Sequence, residues 1–124
     1  MEFPFEKLQA WQLSRTLVKD VYVLLEKFPA TEKYALCNQI RRAIVSVPSN
    51  LAEGTSRFSN KEQLHYVEIA FGSLMETMCQ LIIAGDMGFI NEVELADLKS
   101  KFQVVAKMLS GLRVSLKRKI DEQK

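Results

Sequence analysis

The chain is 124 residues long, 48% hydrophobic and 26% charged, with a formal net charge of +2; this is the balance of one globular domain, 1–124, with a sizeable core. No unbroken apolar run approaches the ~18 residues that cross a bilayer, and the opening MEFPFEK has neither region of a secretion signal. Cys37 and Cys79 match no metal or redox spacing. Each lies in an apolar helical stretch, so both are expected to be buried free thiols of a cytoplasmic protein.

Residues 5–28 read as a first helix, with Trp11, Ser14, Val18, Val21, Leu25 and Phe28 spaced alternately three and four apart. Leu13, Leu17 and Leu24 widen its apolar face beyond the ~100° of an ordinary surface helix. Phe28-Pro29 ends it. A second helix is expected to start near Thr31 or Glu32, capped by Thr31, and to finish at Gly54. Pro48 falls inside it, removing one backbone donor and crowding the carbonyl of Ile44. The apolar phase persists across the proline, from Ile40 and Ile44 to Val47 and Leu51. That predicts one kinked helix rather than two pieces.

The same helix carries a second stripe of Gln39, Arg42, Ser46, Ser49, Asn50 and Glu53. An ordinary exposed face would use Lys, Glu and Gln, since Ser and Asn disfavour helix interiors. The stripe is expected to form a buried, hydrogen-bonded layer that fixes helix register; plain solvent exposure is the alternative. Arg42 and Glu53 are eleven positions apart, about three turns, and so cannot pair. Glu76 is the expected partner of Arg42. Asn50 is expected to satisfy backbone groups near Pro48.

Ser59 and Glu62 form a capping box that starts a third helix. Leu64, Val67, Phe71, Leu74, Met78 and Leu81 keep heptad-like spacing along it, while Ile69, Gly72, Glu76, Cys79 and Ile83 make a second row on another face. Gly72-Ser73 in mid-helix costs about 1 kcal/mol or more, which makes sense where a neighbouring backbone comes close. Gly85 and Gly88 mark the next turn. Asn91 and Glu94 repeat the capping box for a fourth helix, in which Leu95, Leu98, Phe102, Val105, Leu109, Leu112 and Leu116 run without interruption. Four amphipathic helices with short connections define the fold class: all-α, an antiparallel up-and-down four-helix bundle with a proline-kinked second helix.

Charge is uneven. From Leu98 onward eight basic residues face two acidic ones, a net +6, so the remainder carries −4. Lys107, Arg113, Lys117, Arg118 and Lys119 are therefore candidate nucleic-acid contacts, with Arg41 a weaker one; a solvated helix end is the alternative reading. The aromatics fall mainly on core spacing, so no base-stacking platform is evident. A di-iron site would need Glu-x-x-His on two helices, whereas His65 is the one histidine and Glu68 follows it in the reversed order. Arg57 and His65 are too far apart for the Arg–His pair of a small helical RNase. His65 is expected to be a partly buried bundle residue, and no cofactor, metal or catalytic residue is predicted.

These residues together suggest a family. The opening Phe5…Leu8…Trp11, Phe28-Pro29 before Glu32-Lys33-Tyr34-Ala35-Leu36, QIRRA, SVPSNLAEG from Ser46 to Gly54, and AFGSLMET from Ala70 to Thr77 are all present. With them the chain resembles the bacterial four-helix-bundle proteins encoded in intervening sequences of 23S ribosomal RNA genes, often labelled ribosomal-protein-like. The resemblance implies a ring-shaped homopentamer. It also implies kinship with the accessory protein of diversity-generating retroelements, which works with a reverse transcriptase and binds nucleic acid through basic surface. The expected function is thus a non-enzymatic homo-oligomeric module that binds RNA or DNA, or a nucleic-acid enzyme, without membrane association. A helical protein-interaction scaffold is the alternative, and a small RNase a remote one.

Overall fold

The computed structural model describes residues 1–124 and contains four α-helices and no strand: α1 Gln9–Leu25, α2 Leu36–Thr55, α3 Asn60–Asp86 and α4 Glu92–Glu122. α1 packs on α2 and α4, α3 packs on α2 and α4, and the backbones of the diagonal pairs stay more than 8 Å apart. That is the up-and-down bundle expected from four amphipathic segments.

The first helix begins later than its periodicity suggests. Residues Pro4–Lys7 form a short 3-10 turn, and Leu8 is extended (φ −76°, ψ 119°) before α1 begins. The turn is tied down locally. Glu6 accepts the Phe3 N–H at 2.6 Å, and the Phe5 ring meets Trp11 edge-on with centroids 5.0 Å apart. The second helix also starts late. Thr31 does not cap it; Ala30–Glu32 make another 3-10 turn, and α2 begins at Leu36 after a non-helical Ala35. The intervening segment is held by Arg41, whose guanidinium reaches back to the Lys33 carbonyl at 2.8 Å.

α2 runs unbroken through Pro48. A proline inside a helix costs ~3 kcal/mol in isolation, and here tertiary packing outweighs that cost: Ile40, Ile44, Val47 and Leu51 are all buried. Gly54 does not act as a left-handed terminator, because the helix passes it and ends at Thr55 with a right-handed Ser56. Its role is close approach. A Cβ on Gly54 would lie 3.2 Å from the Cβ of Tyr66 on α3. The left-handed glycine is Gly88 (φ +79°), which closes α3 with Phe89 N–H on Ala84 O and Gly88 N–H on Gly85 O. This is the paired bonding of a Schellman turn.

Both expected N-caps start their helices, but only the one at α4 closes the full reciprocal box; at α3 the Glu62 carboxylate takes the Ser59 hydroxyl at 3.3 Å instead of its N–H. Ser59 Oγ accepts the Glu62 N–H at 3.0 Å, and Asn91 and Glu94 bond reciprocally at 2.8 and 3.1 Å. The core includes Leu17, Val21, Leu74, Leu81, Val105 and Leu109. Ser14 and Thr77 are buried among them, each hydroxyl donating to the carbonyl four residues back, Ala10 and Ser73. That internal bond meets the requirement that a buried polar group be paired.

Two expectations about burial need correction. Cys37 is buried, but Cys79 is exposed. Gly72 is also exposed, with nothing within 4 Å of a Cβ placed there, so it admits no neighbouring backbone within the bundle. Both lie on the second row of α3, which faces outward.

Gly54 and Gly72 should therefore behave oppositely. Gly54→Ala should lower stability by about 1 kcal/mol, because the backbone-anchored Cβ of Tyr66 cannot yield without moving α3. Gly72→Ala should raise it by a few tenths up to about 1 kcal/mol through helix propensity. Urea unfolding followed by circular dichroism reads both; destabilisation by Gly72→Ala in a monomeric sample would contradict the open space at that position.

Candidate nucleic-acid interface and polar layer

Only part of the α2 polar stripe forms the expected layer. Ser46 is its centre. Its Oγ accepts from the Ser73 hydroxyl of α3 at 2.9 Å and from the Asn50 amide at 2.8 Å, while the same amide donates to the Ser46 carbonyl at 2.8 Å. Asn50 thus serves the Ser46 carbonyl one turn back, not the Ile44 carbonyl that Pro48 leaves without its helical donor. At one end of the groove Gln80 of α3 reaches Gln39 at 3.5 Å and Glu76 at 3.3 Å, and its own Oε1 is buried without a donor. At the other end Arg57 pairs with Glu53, donates to the Tyr66 hydroxyl at 2.9 Å and lies over the Tyr66 ring.

The Arg42–Glu76 pair does not form. Arg42 is exposed and enters no ion pair, and Glu76 is exposed and bonded to Gln80. The two residues sit on the outer rims of their helices, where water satisfies them. His65 is likewise exposed rather than partly buried, its ring edge-on to Tyr66. Arg57 bonds to Glu53 and Tyr66, not to His65. No group of three or more His, Cys, Asp or Glu side chains converges to hold a metal ion.

The basic candidates divide by helix. Arg41 is half-buried and committed to the Lys33 carbonyl, so it serves the α2 entry. On α4, Lys107, Lys117, Arg118 and Lys119 are exposed, and none enters an ion pair. Arg113 is half-buried with its guanidinium 4.6 Å from the centroid of the Phe71 ring. That contact fixes the group over α3 without neutralising it. Arg113 and Lys117 line one groove with Leu64 and Glu68, and Lys119 lines another with Thr55 and Gln63. The basic end of α4 therefore lies beside the α2–α3 turn.

Sequence reasoning missed the α1–α4 seam, where charges do structural work. Lys27 pairs with Glu94, and Lys101 reaches both Asp20 and Asp97 at 3.3 Å. The Lys27 ammonium, with the Asn91 N–H, holds the Glu94 carboxyl below the usual carboxylate range. The two carboxylates in turn hold the Lys101 ammonium above its ordinary value. Asp97 and Lys101 are an ordinary i,i+4 pair, but nothing local signals the cross-helix contacts, whose partners are 67 and 81 residues apart.

The geometry defines the class: an all-helical up-and-down bundle with a polar layer between α2 and α3 and an unpaired basic end on α4. The chain belongs to the 23S rRNA-intervening sequence protein family, whose model matches residues 6–111. No match to a curated protein accompanies it. Arg113, Lys117, Arg118 and Lys119 lie beyond the matched stretch, so family membership by itself is silent on them.

Two outcomes follow. Ser46→Ala removes the acceptor shared by α2 and α3 and should cost about 1 kcal/mol, whereas Arg42→Ala should change stability by less than about 0.5 kcal/mol; equal effects in thermal melting would contradict the layer. Glu94 has a depressed folded pKa, so its contribution is present above its unfolded value near 4.5 and fades as pH falls through the lower folded value. Below that point Glu94→Gln should lose less stability than the parent chain, measured as the shift of the urea midpoint from neutral pH.

Proposed function

We propose that this chain is a non-enzymatic, self-assembling four-helix module whose α4 surface binds the phosphate backbone of RNA or DNA. The observation that carries the reading is the cluster Lys107, Arg113, Lys117, Arg118 and Lys119, five cations along one helix with no carboxylate paired to any of them. Unpaired basic side chains attract phosphate at long range and give sequence-independent affinity. Each contact is weak, and repetition across an assembly strengthens binding by raising effective concentration.

Self-assembly is supported by the outer face of α3. Ile69, Met75, Ile82 and Ile83 are exposed there beside Gly72 and Cys79, with Ile83 46% accessible. By length and mean hydropathy (1.4) α3 alone among the helices is apolar enough to cross a membrane. Its inner face, with Val67, Ala70, Leu74 and Leu81, is packed in the bundle. Leucines and isoleucines on both faces of a bundle helix suit burial against a second copy, and small residues between them permit close approach. A homopentamer is the state the family resemblance implies. The same face would equally serve a helical partner such as a nucleic-acid enzyme, which is the scaffold reading.

Light scattering at micromolar concentration should give a multiple of 14.2 kDa, and Gly72→Leu should reduce that mass while leaving the monomer folded. A parent chain at the monomer mass would remove the assembly. For binding, the variant Lys117→Gln/Arg118→Gln/Lys119→Gln should lose affinity for all RNAs alike. The slope of log affinity against log salt should flatten by about 2 for each engaged subunit on a single strand. An unchanged slope would reduce the basic end to a solvated helix terminus, and no binding by the parent at low salt would leave the scaffold reading in its place.

A further inference from the structure

We propose that Phe58 is a stacking platform for a base of single-stranded nucleic acid, whose phosphates are held by the lysines at the same end of the bundle. The inference rests on the nucleic-acid reading above and adds the form of the ligand and the residue that selects it.

Phe58 is the most exposed aromatic side chain, at 102% of its reference accessibility. It occupies the position just before the N-cap of α3. An apolar residue there normally folds back on the fourth residue of the helix and fixes the entry angle. α4 shows the normal arrangement: Ile90, before the cap Asn91, is buried, and Leu95 packs against the core. In α3 the fourth residue is Gln63, and its amide donates instead to the Arg57 carbonyl at 2.8 Å. Phe58 therefore has no apolar residue to fold on. The helix entry is already held by Ser59, Glu62 and Gln63, so the ring has no local structural use.

Its surroundings suit a phosphate chain. Lys61, the second residue of α3, is exposed and free of ion pairs. Lys119 shares a crevice with Thr55 and Gln63, and Lys117 shares a groove with Leu64, so both reach the end of the bundle that carries the Phe58 turn. Three carboxylates at this end are engaged, Glu53 with Arg57, Glu62 with Ser59 and Asp121 with Lys124, while Glu68 and Glu122 flank Lys117 without a bond, leaving the lysines and arginines in excess. An exposed π face among cations is the arrangement that tracks single strands, where bases stack on aromatics and lysines follow the backbone. A duplex keeps its base faces covered and can use the lysines alone. Phe58 thus converts a general phosphate affinity into a preference for unpaired strands.

The test titrates the full chain with fluorescent oligouridine and with duplex RNA of the same length, using the parent, Phe58→Ala and Phe58→Trp. Phe58→Ala should weaken oligouridine binding by about tenfold, with duplex affinity and the salt slope unchanged, and Phe58→Trp should restore it. Oligouridine affinity equal to the parent's, or an equal loss on both ligands, overturns the stacking role while leaving phosphate binding intact. A change in assembled mass on Phe58→Ala, read by light scattering, overturns it by assigning the ring to self-association. Binding of neither ligand by the parent removes the nucleic-acid reading and the stacking role together.

Discussion

The contact between α2 and α3 is the constraint on which the rest of the molecule depends, and its closeness comes from a missing side chain. Because position 54 is glycine, the α3 backbone at Tyr66 approaches to a distance that any larger residue would contest. Ser46 and Ser73 then meet hydroxyl to hydroxyl about two turns further along the pair. Close packing alone would permit a small slide of one helix past the other, since apolar contacts are non-directional. The hydroxyl bond and the Arg57–Tyr66 contact remove that freedom. With α3 so fixed, its outer face, the turn carrying Phe58 and the docking of α4 all follow.

The opposite seam is built on a different principle. The α1–α4 seam is closed at one end by the flanking residues Phe28 and Phe89, with Lys27 just after α1 pairing to Glu94, and along the groove by Lys101 reaching Asp20. Exposed ion pairs are individually weak and screened by salt. The bundle thus has one seam set by shape and half-buried hydrogen bonds and another that responds to ionic conditions. The ten-residue connection between α1 and α2, residues 26–35, is also the longest, so α1 is the helix held least by its chain neighbours.

Periodicity makes the bundle legible because burial in a helix pair recurs every three or four residues whatever the partner. The apolar rows on α3 and α4 accordingly reappear at the core: Val67, Leu74 and Leu81 from one, Leu98, Phe102, Val105 and Leu109 from the other. What periodicity lacks is the identity of the facing surface. The second row of α3 has heptad spacing too, yet it faces outward, taking Gly72 and Cys79 with it. The polar stripe of α2 fails in the same way. Ser46 and Asn50 lie on its inner rim and bond as read, while Arg42 lies on the outer rim and does not. Helix starts were legible where the cap is local, at Ser59 and Asn91, and illegible at α2, whose entry depends on Arg41 reaching back eight residues. Phe58 escaped notice because a staple is recognised from both its ends, and only the structure shows the second end engaged elsewhere.

Ionisation bears on whether chemistry should be sought here at all. Groups with displaced pKa values in a cleft often mark active sites, but structural pairs displace them as well. Each displaced group in this chain has a structural cause. Burial raises the Cys37 thiol, hydrogen bonding to Glu53 raises Arg57, Lys27 lowers Glu94, and Asp20 with Asp97 raises Lys101. None of the four adjoins a second group poised to exchange a proton with a ligand, and three of them join one structural element to another. Among the charges left without a structural task are Lys117, Arg118 and Lys119 of α4 and Lys61 of α3, exposed at the end of the bundle that carries the unpacked Phe58 ring. The bundle holds α3 and α4 side by side and so fixes where those charges and that ring lie relative to one another.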